Sequence, residues 1–191
     1  VVNRTHAYFA MEGGKFGVYV ANTNTSYNLN DSDPGNWVGT NKWDAITFTD
    51  SSTIFLGGNN GYFAMYNATN NVTSNLSETD INNWIGTSII RDIIAYNSTH
   101  VYIVNDNGGF GVYDLTTNQS SNLSGTDENN FFGSNILWSV HANSTSTSDL
   151  VFITGDAGIF GVYNVTSNMT ADLSRSDTTN WMSTFAFETN H

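Results

Sequence analysis

Cysteine is absent and proline occurs once, at Pro34, so no disulfide holds this chain together and its turns must come from other residues. Positive charge is scarce as well. Five Lys and Arg stand against 17 Asp and Glu, a formal net charge of −12, which leaves no basic footprint for the phosphates of DNA, RNA or an anionic membrane. No apolar run approaches the roughly 20 residues that cross a bilayer as a helix, which excludes membrane insertion by that route. The chain opens at Val1 with no initiator Met and no signal-like stretch, and so reads as a processed or excised piece. Also missing are a Gly-x-Ser-x-Gly elbow, a phosphate loop and a Ser/His/Asp constellation, and the expectation is a protein that is not an enzyme.

What is present is a repeat. Phe16-Gly-Val-Tyr19, Phe63-Ala-Met-Tyr66, Phe110-Gly-Val-Tyr113 and Phe160-Gly-Val-Tyr163 follow one another at steps of 47, 47 and 50 residues. A second motif keeps the same step: Asp33-Pro-Gly-Asn-Trp37, Asp80-Ile-Asn-Asn-Trp84, Asp127-Glu-Asn-Asn-Phe131 and Asp177-Thr-Thr-Asn-Trp181. A unit of this length cannot bury its own core and must pack on copies of itself. In register, His191 falls at the position of Thr47, so the 191 residues hold four whole periods, 1–47, 48–94, 95–144 and 145–191, whose ends meet in mid-unit. With 39% hydrophobic and 14% aromatic residues the chain suffices for one core-bearing domain spanning 1–191.

Each unit reads as four short strands. In the second they are Trp43–Thr49, Thr53–Gly57, Tyr62–Asn67 and Val72–Leu76, bounded by Gly, Asn, Asp and Ser, with no competing helical spacing. Gly14, Gly61, Gly108 and Gly158 share one column between the second and third strands, where a tight hairpin needs positive φ. Four-stranded antiparallel units repeated about an axis are blades, and the expected fold is an all-β, four-bladed β-propeller. Its seam would join Val1–Asn3 to the C-terminal Phe185–His191 in one blade, or link one copy to the next.

The Asp-x-x-Asn-Trp motif is expected to be structural. Asp33, Asp80, Asp127 and Asp177 would brace a turn while Trp37, Trp84, Phe131 and Trp181 cover the neighbouring blade. Calcium is the competing use of these acids, with Asp31 and Glu78 nearby, but Gly125 and Arg175 interrupt that pattern and calcium wants several converging oxygens. His6 and His100 share a column without further ligands, and His141 and His191 stand alone, so no metal site is expected. No cofactor is expected beyond covalent glycans.

Polarity is carried by amides and hydroxyls, Asn alone occurring 28 times. Asn-x-Ser/Thr acceptor triplets begin at Asn3, Asn24, Asn30, Asn67, Asn71, Asn75, Asn97, Asn118, Asn122, Asn143, Asn164 and Asn168. Asn24, Asn71, Asn118 and Asn168 recur at one place in all four units, which points to N-glycosylation, export and a surface location.

In length and unit count the chain resembles the four-bladed, hemopexin-like propellers. The stretch Asp44-Ala45-Ile46, Ile54-Phe55-Leu56 and Tyr62-Phe63 is similar to their blade signature. Other units depart from it with Arg91-Asp92-Ile93, Trp138-Ser139-Val140 and Glu188-Thr189-Asn190, and the family's disulfide between first and last blades has no counterpart here. The resemblance implies ring architecture and no haem, protease or ion-binding role. The Phe-Gly-Val-Tyr and Asn-Trp-x-Gly-Thr repeats look like the degenerate propeller repeats of secreted and surface proteins of microbes.

Three functions are compatible with these features. The first is an extracellular, heavily N-glycosylated surface or filament subunit that associates with itself. The second is a lectin-like or adhesive propeller that recognises carbohydrate or protein. The third is a glycan hydrolase in which Asp44 and Asp92, brought together by the ring, act as the carboxylate pair.

Overall fold

The computed structural model describes residues 5–32, 38–50, 52–79, 82, 84–126, 129–145 and 148–174. Strands β1 (His6–Met11), β2 (Lys15–Val20) and β3 (Thr25–Asn28) form a three-stranded sheet. Strands β4 (Trp43–Phe48), β5 (Thr53–Gly58), β6 (Phe63–Asn67) and β7 (Val72–Asn75) form the second sheet. The third holds β8 (Ile90–Ala95), β9 (His100–Asn105), β10 (Phe110–Asp114) and β11 (Gln119–Asn122), and the fourth β12 (Leu137–Thr145), β13 (Ser148–Gly155), β14 (Phe160–Asn164) and β15 (Met169–Asp172). Every sheet is an antiparallel meander, and the molecule is an all-β, four-bladed β-propeller-like repeat. The expected seam residues, Val1–Asn3 and 185–191, lie outside the described residues. Among the described residues no helix is long and apolar enough to cross a membrane.

The strands expected in the second unit appear within a residue or two of their predicted ends. Strand β4 alternates buried and half-buried residues, as a strand with one face inward should, whereas β5 is buried from Ile54 to Gly58 because neighbouring blades cover both its faces. The hairpin glycines Gly14, Gly61, Gly108 and Gly158 have φ of +70°, +69°, +70° and +74°. At Gly14, Gly61 and Gly108 a Cβ would also strike the backbone of Gly39, Gly86 and Gly133 in the connection to the next blade. Backbone freedom and close approach are thus demanded at one spot.

Each core lies between two sheets. One cluster joins Phe16 and Val18 of the first sheet to Ile54 and Tyr66 of the second; another joins Phe55 and Phe63 to Ile103 and Tyr113; the third joins Tyr102 and Phe110 to Ile153 and Tyr163. At the centre of each junction the motif Phe of one blade meets the motif Tyr of the next edge-on. The ring centroids are 5.2 Å apart for Phe16–Tyr66, 5.1 Å for Phe63–Tyr113 and 5.4 Å for Phe110–Tyr163. Such pairs contribute about 0.5–1.5 kcal/mol beyond the area they bury. Burial at the third junction pushes the Tyr102 hydroxyl above the ordinary tyrosine range, with Tyr163, Tyr96 and Asp149 adding to the rise.

The glycine of Phe-Gly-Val-Tyr gives the third and fourth blades a flat spot for an aromatic from the preceding connection, whereas in the first blade Phe9 of the same sheet lies over Gly17. A Cβ on Gly111 would meet the Trp84 ring, and one on Gly161 the Phe131 ring. Replacing Gly111 by Val should therefore lift Trp84 off the third blade and lower unfolding free energy by about 1–3 kcal/mol, read as a reduced urea midpoint. An unchanged midpoint would show that the aromatic does not brace the junction.

Candidate functional site: the bulged inner strands

Strand β8 packs directly on both β4 and β12, and each of the three is the first strand of its sheet. Each slips register near its start. Trp43 pairs with Gly58 and Ala45 with Gly57, leaving Asp44 between them; Arg91 and Trp138 occupy the same unpaired position in β8 and β12. A bulge re-aims one side chain and interrupts pairing, a device frequent beside binding sites. Here it frees a different group in each of three strands, and two of them, Arg91 and Trp138, meet.

Lys42 Nζ lies 3.1 Å from Asp44 Oδ1. The Arg91 guanidinium sits 4.9 Å from the centroid of the Trp138 ring, and Trp138 Nε1 donates to Asp156 Oδ1 at 2.5 Å. The indole is therefore fixed by a carboxylate and in turn carries the guanidinium, a contact of about 0.5–2 kcal/mol depending on desolvation. Arg91 Nε and Asp44 Oδ2 are both buried without a hydrogen-bond partner among the described residues. No described carboxylate lies within ion-pair distance of Arg91, although the chain is strongly acidic. A cation left unpaired in these surroundings is suited to receive an oxyanion from outside.

Asp92 has a different duty from Asp44. It is in register rather than bulged, and its Oδ2 accepts from Ser139 Oγ at 2.8 Å and from the Val140 N–H at 3.0 Å, tying the third blade to the fourth. Thr47 Oγ1 plays the same part between the second and third blades, accepting the Ala95 N–H at 3.2 Å. The two acids of the expected pair thus occupy different columns of neighbouring strands.

A second concavity, of about 680 Å³, lies between the first and second blades. Tyr8, Tyr27 and Tyr66 supply its aromatic surface, with His6, Asp31 and Asn71 among its polar groups. Burial raises the pKa of Tyr8 and Tyr66, so both hydroxyls stay protonated as donors at neutral pH.

Trp84 and Phe131 cover Gly111 and Gly161, while Asp33, Trp37, Asp80, Asp127, Asp177 and Trp181 lie outside the described residues. Asn82 of the same motif donates to the Ser120 carbonyl oxygen of the next blade at 2.8 Å. Among the described residues no three His, Cys, Asp or Glu converge as a metal site. His6 and His100 each pair Nδ1 with the preceding threonine hydroxyl, at 2.7 and 2.9 Å. His141 is exposed on β12, and His191 lies outside the described residues.

The glycosylation triplets divide by chemistry. Asn24, Asn71, Asn118 and Asn168 are exposed at the hairpin between third and fourth strands with φ of 53°, 56°, 55° and 55°, the left-handed region that Asn tolerates better than most residues. Tyr19, Tyr66 and Tyr163 donate from their hydroxyls to Oδ1 of Asn24, Asn71 and Asn168 at 2.8, 3.0 and 2.9 Å, leaving the amide nitrogens free. Asn30 differs, because its Nδ2 donates to the Gly14 carbonyl oxygen and its Oδ1 accepts the Phe16 N–H, both at 2.8 Å. Ser77, Ser124 and Ser174 bond the same N–H in the other blades.

Asn75 and Asn122 brace turns by accepting the backbone N–H two residues on, and Asp172 makes the same bond in the fourth blade. Asn67 and Asp114 share another such column, as do Asn97 and Asp50. Asn164 accepts from the Ser167 N–H, Asn143 is exposed in β12, and Asn3 lies outside the described residues. An acceptor followed two residues later by a hydroxyl is what these turns require, and it spells an Asn-x-Ser/Thr triplet wherever the acceptor happens to be Asn.

Sequence reasoning passed over Lys42, Arg91, Trp138 and Asp156. The signal was nevertheless available. Asp44, Arg91 and Trp138 stand in one column of the repeat, where Asp44 keeps the hemopexin-like signature and Arg91 and Trp138 depart from it.

No protein-family model matches the sequence, and no curated protein matches it. Solved structures with the fold are numerous, 490 chains, so the architecture is widespread and does not specify an activity. One is the extracellular domain of what is described as a one component system from B. thetaiotaomicron. It is 13% identical with a TM-score of 0.65 over 90% of this chain, and the match spans 21% of that longer chain.

Two outcomes follow for the turns. Asn75→Asp should leave stability nearly unchanged while Asn75→Ala costs about 0.5–1.5 kcal/mol by urea denaturation; equal costs would mean the acceptor is not the requirement. The Ser52 N–H holds the Asp50 carboxyl below its ordinary 3.8, so this turn should contribute fully above that pH and weaken as pH falls through the lowered folded value. Asp50→Asn should remove that acid-side loss from a stability-versus-pH profile.

Proposed function

We propose that the chain is a recognition domain displayed outside the cell, whose ligand carries a carboxylate or another planar oxyanion received by Arg91. The observation that carries this reading is the guanidinium held over Trp138 at a bulge, without a described acid partner. Ligand recognition uses groups fixed in advance, and Arg91 is oriented by an indole that Asp156 locks. The Lys42–Asp44 pair at the matching bulge of the second blade offers a donor and an acceptor for hydroxyls, and acidic sugars carry both hydroxyls and a carboxylate. Display outside the cell is supported by the extracellular neighbour and by the exposed, chemically free Asn24, Asn71 and Asn168.

Titration calorimetry with uronic-acid oligosaccharides and their neutral counterparts tests the reading. Binding should be confined to the acidic series and fall at least about tenfold in Arg91→Gln, with the melting temperature shifted little. Equal binding of neutral sugars, or an Arg91→Gln variant that binds as before, would overturn it.

A second reading, a glycan-coated subunit that assembles with itself, is favoured by the exposed Tyr19 and Met11 of the first blade and by a half-buried Phe152–Phe160 stack in the fourth that no described tyrosine meets. If its coat is real, peptide mapping after expression in a glycosylating host should find sugar at the hairpin column of Asn24 and none at Asn30, whose amide nitrogen is engaged. Glycan at Asn30 would refute this ordering of the triplets.

A further inference from the structure

The three junctions between blades are chemically one interface. In all three the motif Phe of one blade meets the motif Tyr of the following blade, and in the second and third an aromatic of the second strand also stacks on that Phe. The stacks are Phe55–Phe63 at 6.0 Å and Tyr102–Phe110 at 5.9 Å, and the receiving Tyr66, Tyr113 and Tyr163 are 4%, 0% and 5% exposed.

Both halves of this interface occur once more. The fourth blade has the same stack, Phe152–Phe160 at 6.2 Å with an interplanar angle of 18°; both rings are half-buried, and no described tyrosine faces them. The first blade presents the matching Tyr19. Its hydroxyl is anchored on Asn24, yet its ring has no described aromatic partner and is 37% exposed. On the same face Phe9, Met11 and Gly17 line a concavity of about 480 Å³, and Met11 is 45% exposed. Donor and receiver are thus complementary, because each repeats a surface already paired inside the molecule.

We propose that a second copy of this chain docks its fourth blade on this first blade, with Phe160 meeting Tyr19, so that copies join head to tail. The contact is heterologous, and it closes into a ring or propagates as a fibre according to the rotation between copies. The inference deepens the assembling-subunit reading and is independent of Arg91, so Arg91→Gln should be silent in the assay below.

Sedimentation velocity of the 191-residue chain over a wide concentration range is the test. The intact chain should form dimers or larger multiples. Tyr19→Asp and Phe160→Asp should each weaken association at least about tenfold, as expected for loss of a central aromatic anchor. Mixing the two variants should restore one junction and stop at a dimer, a pattern that nonspecific adhesion would not give. An intact chain that stays monomeric, or a Tyr19→Asp variant that assembles normally, would overturn the proposal. So would a Tyr19→Asp variant whose melting temperature falls as far as that of Tyr66→Asp, since the face would then be covered within its own molecule.

Discussion

A single blade here cannot bury its own aromatics, and the edge-on contact of one blade's Phe with the next blade's Tyr is what resolves that constraint. Phe63 stacks on Phe55 in its own sheet and meets Tyr113 of the next, so a single side chain serves both the sheet and the junction. Other features adapt to this packing. Gly111 is small because Trp84 lies across it, and Gly61, left-handed in its hairpin, has no room for a Cβ because the connection at Gly86 passes over it. Asp92 and Thr47 bind the next inner strand by hydrogen bonds where no aromatic reaches. Because nearest-neighbour interfaces carry the cores, stability is distributed over the junctions rather than placed in one centre.

Much of this was legible in the sequence because repetition multiplies weak signals. One Tyr-Phe-Ala-Met-Tyr run is an ambiguous apolar segment, but four of them in register define a strand and its partners together. The hairpin glycines were legible for the same reason: only positive φ makes one residue type recur at an otherwise variable turn. The bulges were not legible. Inserting one residue in β4, β8 and β12 changes no composition or period, and its effect on Asp44, Arg91 and Trp138 exists only in three dimensions. Asp44 and Asp92 accordingly looked like a pair on the chain, whereas the register puts one at the bulge and the other in the strand ladder.

The asparagines show how one pattern can have two causes. A turn that needs a side-chain acceptor and then a hydroxyl is satisfied by Asn67-Ala-Thr69 in one blade and Asp114-Leu-Thr116 in the next, with the same bond to the backbone two residues on. The triplet is a by-product at such columns, and its recurrence there says nothing about sugar. The column of Asn24 has its own backbone reason to recur, a left-handed turn, but there the Tyr hydroxyl takes the amide oxygen and leaves the nitrogen outward. Chemistry at the individual atom, rather than the number of triplets, separates a possible attachment point from a structural turn.

In a repeat protein, then, the positions that hold the fold and the positions that set its specificity should differ in how they vary between units. Residues that close a junction must suit the same neighbour in every blade, and so they stay Phe, Gly and Tyr. A residue freed from the ladder by a bulge has no equivalent neighbour to satisfy, and so it can become Asp, Arg or Trp without cost to packing. Arg91 is the sharpest case. It has been freed from pairing, positioned over Trp138, and given no described acid in a chain that has acids to spare. The buried Arg91 Nε without an acceptor costs folding free energy that the Trp138 contact offsets, and the reason for the charge's placement is sought in what the blades meet rather than in what holds them together.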